Sequence, residues 1–309
     1  MSRVLSPDLA LGQDIPLLIY GTAWKEDKTA DFTAAALKRG FKGVDTANHP
    51  TGYDERRVGE GIAAALASGI KREGLFVQSK FSPTFTHHPA KVPYDATLDI
   101  AAQVRQSVEQ TFDNLQLDYL DALLLHAPYP DQKDTLTAWA VLESYVPDRI
   151  RYVGVSNATL DQLQGLYEAA TVKPAIVQNR FYRQSKYDLE TRSFCKDHGI
   201  VYQACWMLKN NPDVLTSDVV ESVAQTLGVE KEAAFYLLIL SLGDTQVLDG
   251  TTKTERMDSD LKIVSDVLGD EGKMETLRPS VGAFKKLLWK LACEYDGPPP
   301  TLSSEKPER

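Results

Sequence analysis

The sequence is poor in cysteine, and its basic residues are outnumbered by acidic ones; these two features exclude several classes of protein. Its three cysteines, Cys195, Cys205 and Cys293, include no CxxC pair and do not form an even disulfide framework. They are typical of a reducing compartment, and we expect the protein in the cytoplasm. The chain has 34 lysines and arginines against 43 aspartates and glutamates, which gives a formal net charge of −9. This charge argues against nucleic acid or an anionic membrane as a partner, because both attract basic surfaces.

Long apolar runs and a glycine-rich nucleotide motif are also missing. The longest apolar stretch, Ala233–Leu242, has about half the length of a membrane-spanning helix, and residues 1–11 lack the basic start and apolar core of a signal peptide. No GxGxxG follows the first apolar run, where an open dinucleotide-binding sheet would carry its phosphate turn. With 43% hydrophobic and 25% charged residues over 309 positions, the chain is typical of a soluble globular protein.

Short β-rich apolar runs alternate with helical segments along the chain. One helical segment, Ile100–Leu115, repeats apolar residues at three- and four-residue spacing, which predicts one buried stripe. Runs such as ALLLH lack polar alternation, and this is typical of parallel strands covered on both faces. The predicted strands are Leu17–Thr22, Gly43–Ala47, Leu75–Phe81, Ala122–Pro128, Arg151–Asn157, Ala175–Phe181, Val201–Met207 and Thr245–Thr251.

These alternating units predict an α/β fold, a closed (β/α)8 TIM barrel, because no Gly/Pro-rich linker interrupts residues 20–250. A doubly wound open sheet is the alternative, and the missing glycine motif argues against it. We expect a single domain over residues 1–309, with a core at about 8–290 and a disordered tail at 297–309. Ser82–Asp99, rich in proline and threonine, is predicted as a long loop over the mouth of the barrel.

Polar residues stand at the carboxyl ends of three successive predicted strands. Asp45 lies in GVDTA, Lys80 ends FVQSK and His126 ends ALLLH. Taken singly, Asp45 could be a helix cap, Lys80 a surface charge and His126 a hydrogen-bonded core histidine. Taken together they favour a site, because carboxyl ends of barrel strands carry catalytic groups and a buried lysine needs an opposite charge.

Seven sequence segments, spread along the chain, narrow the predicted function further. In chain order they read DLALGQDIPLLIYGTAW, GVDTANHPTGYDERRVGEGI, FVQSKF, LLLHAP, GVSNA, IVQNRF and VLDGTTKTERM. With these segments the chain resembles the aldo-keto reductase family over nearly its whole length. The resemblance implies a barrel with an N-terminal β-hairpin and an NADP(H)-dependent oxidoreductase that reduces an aldehyde or ketone to an alcohol.

The same resemblance implies a catalytic tetrad of Asp45, Tyr53, Lys80 and His126. Tyr53 lies eight residues after Asp45, a longer gap than most members have, so we interpret Asn48–Gly52 as a longer loop that still delivers the tyrosine. A free tyrosine has a pKa of about 10, and a neighbouring ammonium favours the phenolate and makes the phenol a stronger acid. Tyr53 is then the general acid, Lys80 its activating ammonium, Asp45 the partner of Lys80, and His126 the group that orients the carbonyl.

Cofactor residues follow from the same resemblance, at the ends of the later strands. Ser156, Asn157 and Gln178 match the side chains that hold the nicotinamide carboxamide. Cys205 stands where the family usually has an aromatic residue that stacks on nicotinamide. Either Trp206 stacks from the next position, or Cys205 leaves a roomier site and Trp206 is a pocket wall.

Gly250 replaces a lysine that often binds the adenosine 2′-phosphate. Thr251, Thr252, Lys253 and Arg256 remain for that phosphate, because hydroxyls, backbone N–H groups and an arginine bind it well. The predicted cofactor is NADP(H), with NADH the less favoured alternative. The cofactor-binding residues predicted in this way are Ser156, Asn157, Gln178, Cys205, Trp206, Leu208, Gly250, Thr251, Thr252, Lys253 and Arg256.

Aromatic residues near the strand ends are the predicted walls of a substrate pocket. They are Trp24, Phe81, Phe85, Tyr129 and Trp206, and they favour a small, hydrophobic carbonyl substrate. Two or three of them packing the barrel rim is the plainer interpretation.

Two other functions stay open at this point: an NADP(H)-binding sensor or regulatory subunit, and a biosynthetic enzyme that uses the site without net redox change. No metal site is predicted, because His87 and His88 have no cysteine or acidic partner at ligand spacing.

Overall fold

The computed structural model describes residues 15–298. Its strands coincide with the predicted apolar runs, because runs of buried aliphatic residues satisfy a parallel sheet that is covered on both faces. The strands are β1 (Leu18–Gly21), β2 (Gly43–Asp45), β3 (Phe76–Phe81), β4 (Leu120–Leu125), β5 (Ile150–Ser156), β6 (Ile176–Arg180), β7 (Val201–Cys205) and β8 (Thr245–Asp249).

The eight strands form a closed barrel in which strand order follows chain order. Neighbouring strands pair in parallel, with Asp45 of β2 opposite Gln78 of β3 and Lys80 of β3 opposite Leu124 of β4. The predicted (β/α)8 barrel is therefore confirmed. The predicted hairpin and most of the predicted tail lie outside the described residues, whereas Ser82–Asp99 is a long loop with two short 3-10 turns.

Helices follow the strands and cover the sheet. In α3 the predicted stripe is buried at Val104, Val108, Phe112 and Leu115, and the side chain of Asp99 caps the helix by accepting from the N–H of Ala102 at 2.8 Å. The helices are α1 (Thr29–Arg39), α2 (Glu55–Leu66), α3 (Ile100–Leu115), α4 (Gln132–Glu143), α5 (Leu160–Ala169), α6 (Leu189–Asp197), α7 (Met207–Asn210), α8 (Pro212–Leu215), α9 (Asp218–Leu227), α10 (Lys231–Leu240), α11 (Thr254–Leu268) and α12 (Glu271–Cys293).

By its contacts the described chain divides into two compact units. Residues 19–178 hold β2 to β5 and α1 to α5, and residues 15–18 with 179–298 hold β7, β8 and α6 to α12. Within 15–298, no helix has the length and apolar character needed to cross a membrane.

Three strands end directly before a residue that was predicted for the site. His126, Asn157 and Trp206 each lie one position beyond the end of β4, β5 and β7. The backbone explains two of these early ends, since Asn157 and Trp206 adopt φ of +54° and +60°, outside the β region. His126, Asn157 and Trp206 therefore lie just outside their strands, whereas Asp45 and Lys80 lie within β2 and β3.

A charged cluster ties together the amino ends of β3, β4 and β5. The buried carboxylate of Asp121 pairs with Arg72 and Arg151, each at 2.8 Å, and accepts the N–H of Val77 at 2.9 Å. The ring of Tyr119 lies 3.9 Å from the guanidinium carbon of Arg72 and 4.4 Å from that of Arg151. Cation–π contact thus adds to the ion pairs at this end of the strands.

Candidate active site

A buried ion pair of Lys80 and Asp45 lies at the carboxyl ends of β2 and β3. The Nζ of Lys80 donates to Asp45 Oδ1 at 2.6 Å, to Asp45 Oδ2 at 2.7 Å and to the carbonyl of Thr46 at 2.8 Å. Lys80 is 0% exposed, so all three ammonium protons are used inside the protein. Asp45 also accepts from Gln78 Nε2 at 2.7 Å and from Gln178 Nε2 at 3.0 Å. The orientation of the Lys80 ammonium is fixed by these hydrogen bonds.

Tyr53 lies beside this ion pair. The Nζ of Lys80 is 5.2 Å from the centroid of the Tyr53 ring, and the rings of Tyr53 and His126 are 6.0 Å apart and nearly perpendicular. Both aromatic side chains are half-buried. The structure therefore brings the four residues of the predicted tetrad together. Asp45 pairs with Lys80, and both Lys80 and His126 contact the ring of Tyr53.

Backbone hydrogen bonds explain how the long loop between β2 and α2 delivers Tyr53. The N–H groups of Gly52 and Tyr53 both donate to the carbonyl of His49 at 3.0 Å, which forms a tight turn. The carbonyl of Gly52 accepts the N–H of Trp24 at 2.7 Å, and a Cβ at Gly52 would lie only 3.2 Å from the Trp24 ring. Asp54 then caps α2 by accepting the N–H of Arg57 at 3.0 Å. Tyr53 is held from both sides in the chain.

His126 follows β4 and is anchored at three atoms. Its N–H donates to the carbonyl of Phe81 at 2.8 Å, and its carbonyl accepts from Asn157 Nδ2 at 2.9 Å. Its Nδ1 lies 2.7 Å from the hydroxyl of Ser82, the first residue after β3. The imidazole thus has a defined orientation beside Tyr53.

Two further histidines, His49 and His87, adjoin this group and were not predicted as part of it. Their rings stack at 4.6 Å, and the His49 ring meets the edge of His126 at 5.7 Å. Nε2 of His49 bonds the carbonyl of Thr86 at 2.9 Å, and Nε2 of His87 bonds that of Ser82 at 2.9 Å. Burial lowers the pKa of both, to about 4 for His87. At neutral pH both rings are therefore uncharged.

Glu55 is a second buried carboxyl group that the sequence did not indicate. It accepts hydrogen bonds from the Ser79 hydroxyl, from the Thr111 hydroxyl at 3.1 Å and from Asn114 Nδ2 at 3.3 Å. Burial raises its pKa from the ordinary value of 4.5 to about 7, against the opposing effects of these three bonds and of the Lys80 charge. The ion pair of Lys80 thus has a titrating neighbour.

We expect Glu55 to make the protein less stable as the pH rises through the neutral range. An unfolded Glu loses its proton near 4.5 and the folded one near 7, so between these values the unfolded chain binds fewer protons and unfolding becomes easier. Relative to Glu55→Gln, the wild type should lose roughly 2 to 3 kcal/mol of unfolding free energy between about pH 5 and pH 8. Denaturant titrations of both proteins at the two pH values measure this difference, and parallel pH profiles would contradict it.

A hydroxyl and two carboxamides lie together at the ends of β5 and β6. Ser156 Oγ donates to the carbonyl of Gln178 at 2.7 Å, and Asn157 Nδ2 lies 3.1 Å from Ser156 Oγ. Gln178 also reaches Asp45, so this polar group is continuous with the ion pair. It offers both donors and acceptors, which is what a carboxamide ligand needs.

The loop after β8 contains the residues predicted for a phosphate. Thr251 donates its N–H to Asp249 Oδ1 at 2.9 Å, and its hydroxyl accepts the N–H of Lys253 at 3.2 Å. Gly250, Thr252 and Lys253 are exposed. Lys253 directly precedes α11, so the loop leads into the amino end of a 15-residue helix, where backbone N–H groups favour anions.

Acidic side chains surround Arg256, the arginine predicted for the same phosphate. Arg256 pairs with Glu232 at 3.0 Å, and both side chains are partly exposed. Burial and hydrogen bonding to Asp249 raise the pKa of Asp260 to about 7, against the effect of the Arg256 charge. Arg256 is thus already engaged by carboxyl groups of this chain.

Cys205, Trp206 and Leu208 lie at the end of β7 and in α7. Cys205 is buried, and its carbonyl accepts the N–H of Phe181 at 3.0 Å. Trp206 is half-buried and turns away from the strand, with its ring 4.8 Å from the guanidinium carbon of Arg180. Leu208 is half-buried as well.

Among the predicted substrate walls within residues 19–178, the structure separates one residue from the others. Phe81 is buried against Tyr94, with ring centroids 5.7 Å apart, and alternation along β3 places it on the opposite face from Lys80. Phe85 is 49% exposed and meets the ring of Tyr129 at 5.5 Å. Phe81 is therefore not brought together with the tetrad.

The fold places the protein among the (β/α)8 barrels, and comparison with known proteins defines its family. The model of the aldo/keto reductase family matches residues 17–211. The chain belongs to the aldo/keto reductase family.

Two named relatives agree with this membership, and one solved structure shares the fold. Glyoxal reductase of Bacillus subtilis (strain 168) is 33% identical over 64% of this chain and 64% of its own length. This chain therefore spans slightly less than two thirds of that relative. D/L-glyceraldehyde reductase of Hypocrea jecorina is 29% identical over 74% of this chain and 72% of its own. The aldose reductase structure from Schistosoma japonicum shares the fold, with a TM-score of 0.74 at 20% identity over 94% and 97% of the two chains.

Proposed function

We propose that the protein is an NADP(H)-dependent oxidoreductase of the cytoplasm that reduces an aldehyde or ketone to an alcohol. One observation carries the proposal: a buried lysine with all three protons bound to Asp45 and Thr46 lies 5.2 Å from the ring of a half-buried tyrosine. Such an arrangement holds a positive charge beside the tyrosine, where it would stabilise the phenolate that remains after proton donation.

Each residue of the tetrad has a distinct role in this proposal. Tyr53 donates its phenolic proton to the oxygen of the substrate carbonyl as that oxygen becomes an alkoxide. Lys80 stabilises the resulting phenolate, and Asp45 keeps Lys80 charged and oriented. His126 donates a hydrogen bond to the same carbonyl oxygen and so fixes its position between the two proton-bearing groups.

The residues present fit a nicotinamide cofactor by the chemistry of their donors. Ser156, Asn157 and Gln178 would bind its carboxamide, with Cys205, Trp206 and Leu208 at its ring. When bound, the reduced nicotinamide supplies the hydride that adds to the carbonyl carbon. The anionic end would be held by the exposed loop after β8, through Gly250, Thr251, Thr252, Lys253 and Arg256. These cations and hydroxyls favour NADP(H) over NADH.

The names of two relatives support a small carbonyl substrate, since glyoxal and glyceraldehyde are small aldehydes. Trp24, which contacts the Tyr53 loop, and the pair of Phe85 and Tyr129 are the proposed walls around it. Trp206 is a further wall or the stacking partner of nicotinamide.

Loss of nicotinamide absorbance on addition of a carbonyl compound tests the proposal directly. NADPH and NADH are each mixed with the purified protein and a panel of aldehydes, ketones and enones. We expect NADPH consumption with at least one small aldehyde, with an equimolar alcohol as product. Tight NADPH binding with no consumption across the panel would instead favour a sensor or regulatory subunit.

Replacing Arg256 should change the choice between the two cofactors. A charged hydrogen bond to the 2′-phosphate contributes roughly 1.5–3 kcal/mol, so Arg256→Ala should weaken NADPH binding by roughly tenfold to a hundredfold and leave NADH binding close to wild type. Lys262→Ala is the matched control, because it removes an exposed cation from the same helix. Fluorescence titration with both cofactors gives the dissociation constants, and equal affinities in wild type and Arg256→Ala would remove the phosphate assignment.

A further inference from the structure

Among the residues that the structure describes, the hydroxyl of Ser82 has a single hydrogen-bond partner, His126. Its Oγ lies 2.7 Å from Nδ1 of His126, and Ser82 is 0% exposed. Within residues 15–298 the structure gives this hydroxyl no other donor or acceptor. A buried hydroxyl proton must find an acceptor or lose the bonds that it makes in water. The bond between Ser82 and His126 therefore has a preferred direction.

That direction follows from counting protons. If Nδ1 of His126 carried a hydrogen and donated it to Ser82, the hydroxyl proton of Ser82 would be left without an acceptor among the described residues. If Ser82 donates to an unprotonated Nδ1, both groups are satisfied. A neutral imidazole with an unprotonated Nδ1 carries its hydrogen on Nε2. The geometry of Ser82 thus selects one of the two tautomers of His126.

The backbone of Ser82 is itself held in place from two sides. Its carbonyl accepts the phenol of Tyr94 at 2.7 Å and Nε2 of His87 at 2.9 Å. Because a carbonyl only accepts, His87 must carry its hydrogen on Nε2 as well. Both acceptor positions of the carbonyl are then occupied, and the segment from Ser82 to Tyr94 folds back on its own first residue. Ser82 is therefore a rigid donor.

The neighbouring imidazole has the same tautomer. Nε2 of His49 bonds the carbonyl of Thr86, so it too is an N–H donor, and its ring stacks on His87 while meeting the edge of His126. These contacts restrict rotation of the His126 ring. The loop thus surrounds His126 with neutral rings and fixes one proton position.

We propose that Ser82 is a positioning residue, whose hydroxyl donates to Nδ1 of His126 and so keeps the proton on Nε2, the nitrogen that meets the substrate carbonyl. The inference rests on the proposed function for the role of His126, and it adds the group that sets which nitrogen donates. The opposite tautomer would present a lone pair to the carbonyl oxygen and repel the charge that develops there.

Imidazole ¹⁵N spectra of the histidine-labelled protein test the proposal before any turnover is measured. The chain has five histidines, and the signal lost in His126→Asn assigns His126. We expect the wild type to show His126 protonated at Nε2 and not at Nδ1 in the neutral ring. A wild-type His126 protonated at Nδ1 would overturn the proposal.

The variant Ser82→Ala, which removes the hydroxyl, provides a second test of the proposal. In Ser82→Ala we expect a mixture of both tautomers at His126 and a loss of roughly tenfold to a hundredfold in kcat, the range for groups that orient a functional histidine. KM should change little, because the His126 bond strengthens only as charge develops on the oxygen. Ser82→Thr, which keeps the hydroxyl, should restore both the tautomer and kcat.

Thr86→Ala is the matched control, since it removes a hydroxyl of the same loop that, within residues 15–298, bonds only the carbonyl of Pro83. It should leave the His126 spectrum and kcat close to wild type.

An unchanged tautomer in Ser82→Ala would overturn the proposal even if kcat fell, because the loss would then come from packing. If Ser82→Ala does not fold, Ser82→Cys, with its weaker S–H donor, should show the same shift in part, and an unchanged spectrum would contradict us. A protein that reduced no carbonyl would contradict the proposed function alone, since the spectra report the Ser82 bond without turnover.

Discussion

Replacing Tyr53 by phenylalanine should reduce turnover by roughly 10²–10⁴-fold, the usual contribution of a general acid. The substitution keeps the aromatic ring that meets His126 and Lys80, but it deletes the proton that we assign to the forming alkoxide. Cofactor binding should survive, because the nicotinamide carboxamide is assigned to other residues. Steady-state kinetics with NADPH and an aldehyde substrate, together with fluorescence titration of NADPH, measure the two effects separately.

Tyr20→Phe provides the matched control for this experiment. Tyr20 is a buried phenol of β1, on a strand that neighbours Asp45, and it has no role in the proposed mechanism. Its variant should turn over at close to the wild-type rate. A Tyr53→Phe protein with wild-type turnover would show that another residue donates the proton.

Replacing Lys80 by methionine should damage both activity and stability. Lys80 is bonded directly to Asp45, and its charge opposes the rise that burial causes in the pKa of Glu55. Methionine fills a similar volume but leaves Asp45 without a compensating charge, and breaking a buried ion pair in this way costs roughly 3–5 kcal/mol of unfolding free energy. Turnover should fall as far as in Tyr53→Phe, because an unassisted phenol is too weak an acid.

The double variant Asp45→Asn with Lys80→Met separates the two effects. It removes both charges together, so much of the lost stability should return while activity stays low. Denaturant titration of the wild type, both single variants and the double variant gives the coupling between the two residues. Additive losses, with no recovery in the double variant, would show that Lys80 contributes through packing and that its charge is not balanced by Asp45.

The barrel could be predicted because its signal is spread over many residues. Eight apolar runs and the helical stripes between them each depend on local burial, so errors at single positions do not change the fold. Boundaries were less accurate where a polar residue interrupts a run. The run that became β4 was predicted to begin at Ala122, whereas the strand already includes Leu120 and Asp121, because the arginines around Asp121 offset the cost of burying its charge.

The site could be predicted only where the resemblance supplied spacing. Asp45, Tyr53, Lys80 and His126 were inferred in this way, and the structure puts them side by side. His49, His87 and Glu55 gave no such signal. Each is one polar residue in a loop or at a helix start, and its contacts depend on backbone turns that local sequence does not determine. The unusual gap before Tyr53 was the available hint for His49, since the extra residues had to lie beside the site.

The Asp121 cluster has a consequence for how such a chain can change over time. Asp121 holds the N–H of Val77, and Lys80 stands three residues further along the same strand, a distance of about 10 Å. The Asp121 cluster thus holds the beginning of β3, and the Lys80–Asp45 ion pair lies near its end. Substitutions that strengthen the Asp121 cluster can accumulate without changing the reactive residues. Substitutions in the loops beyond Lys80 can change the substrate while β3 stays in place. The beginning of β3 is therefore the fixed support, and the loops beyond its end are where new function can arise.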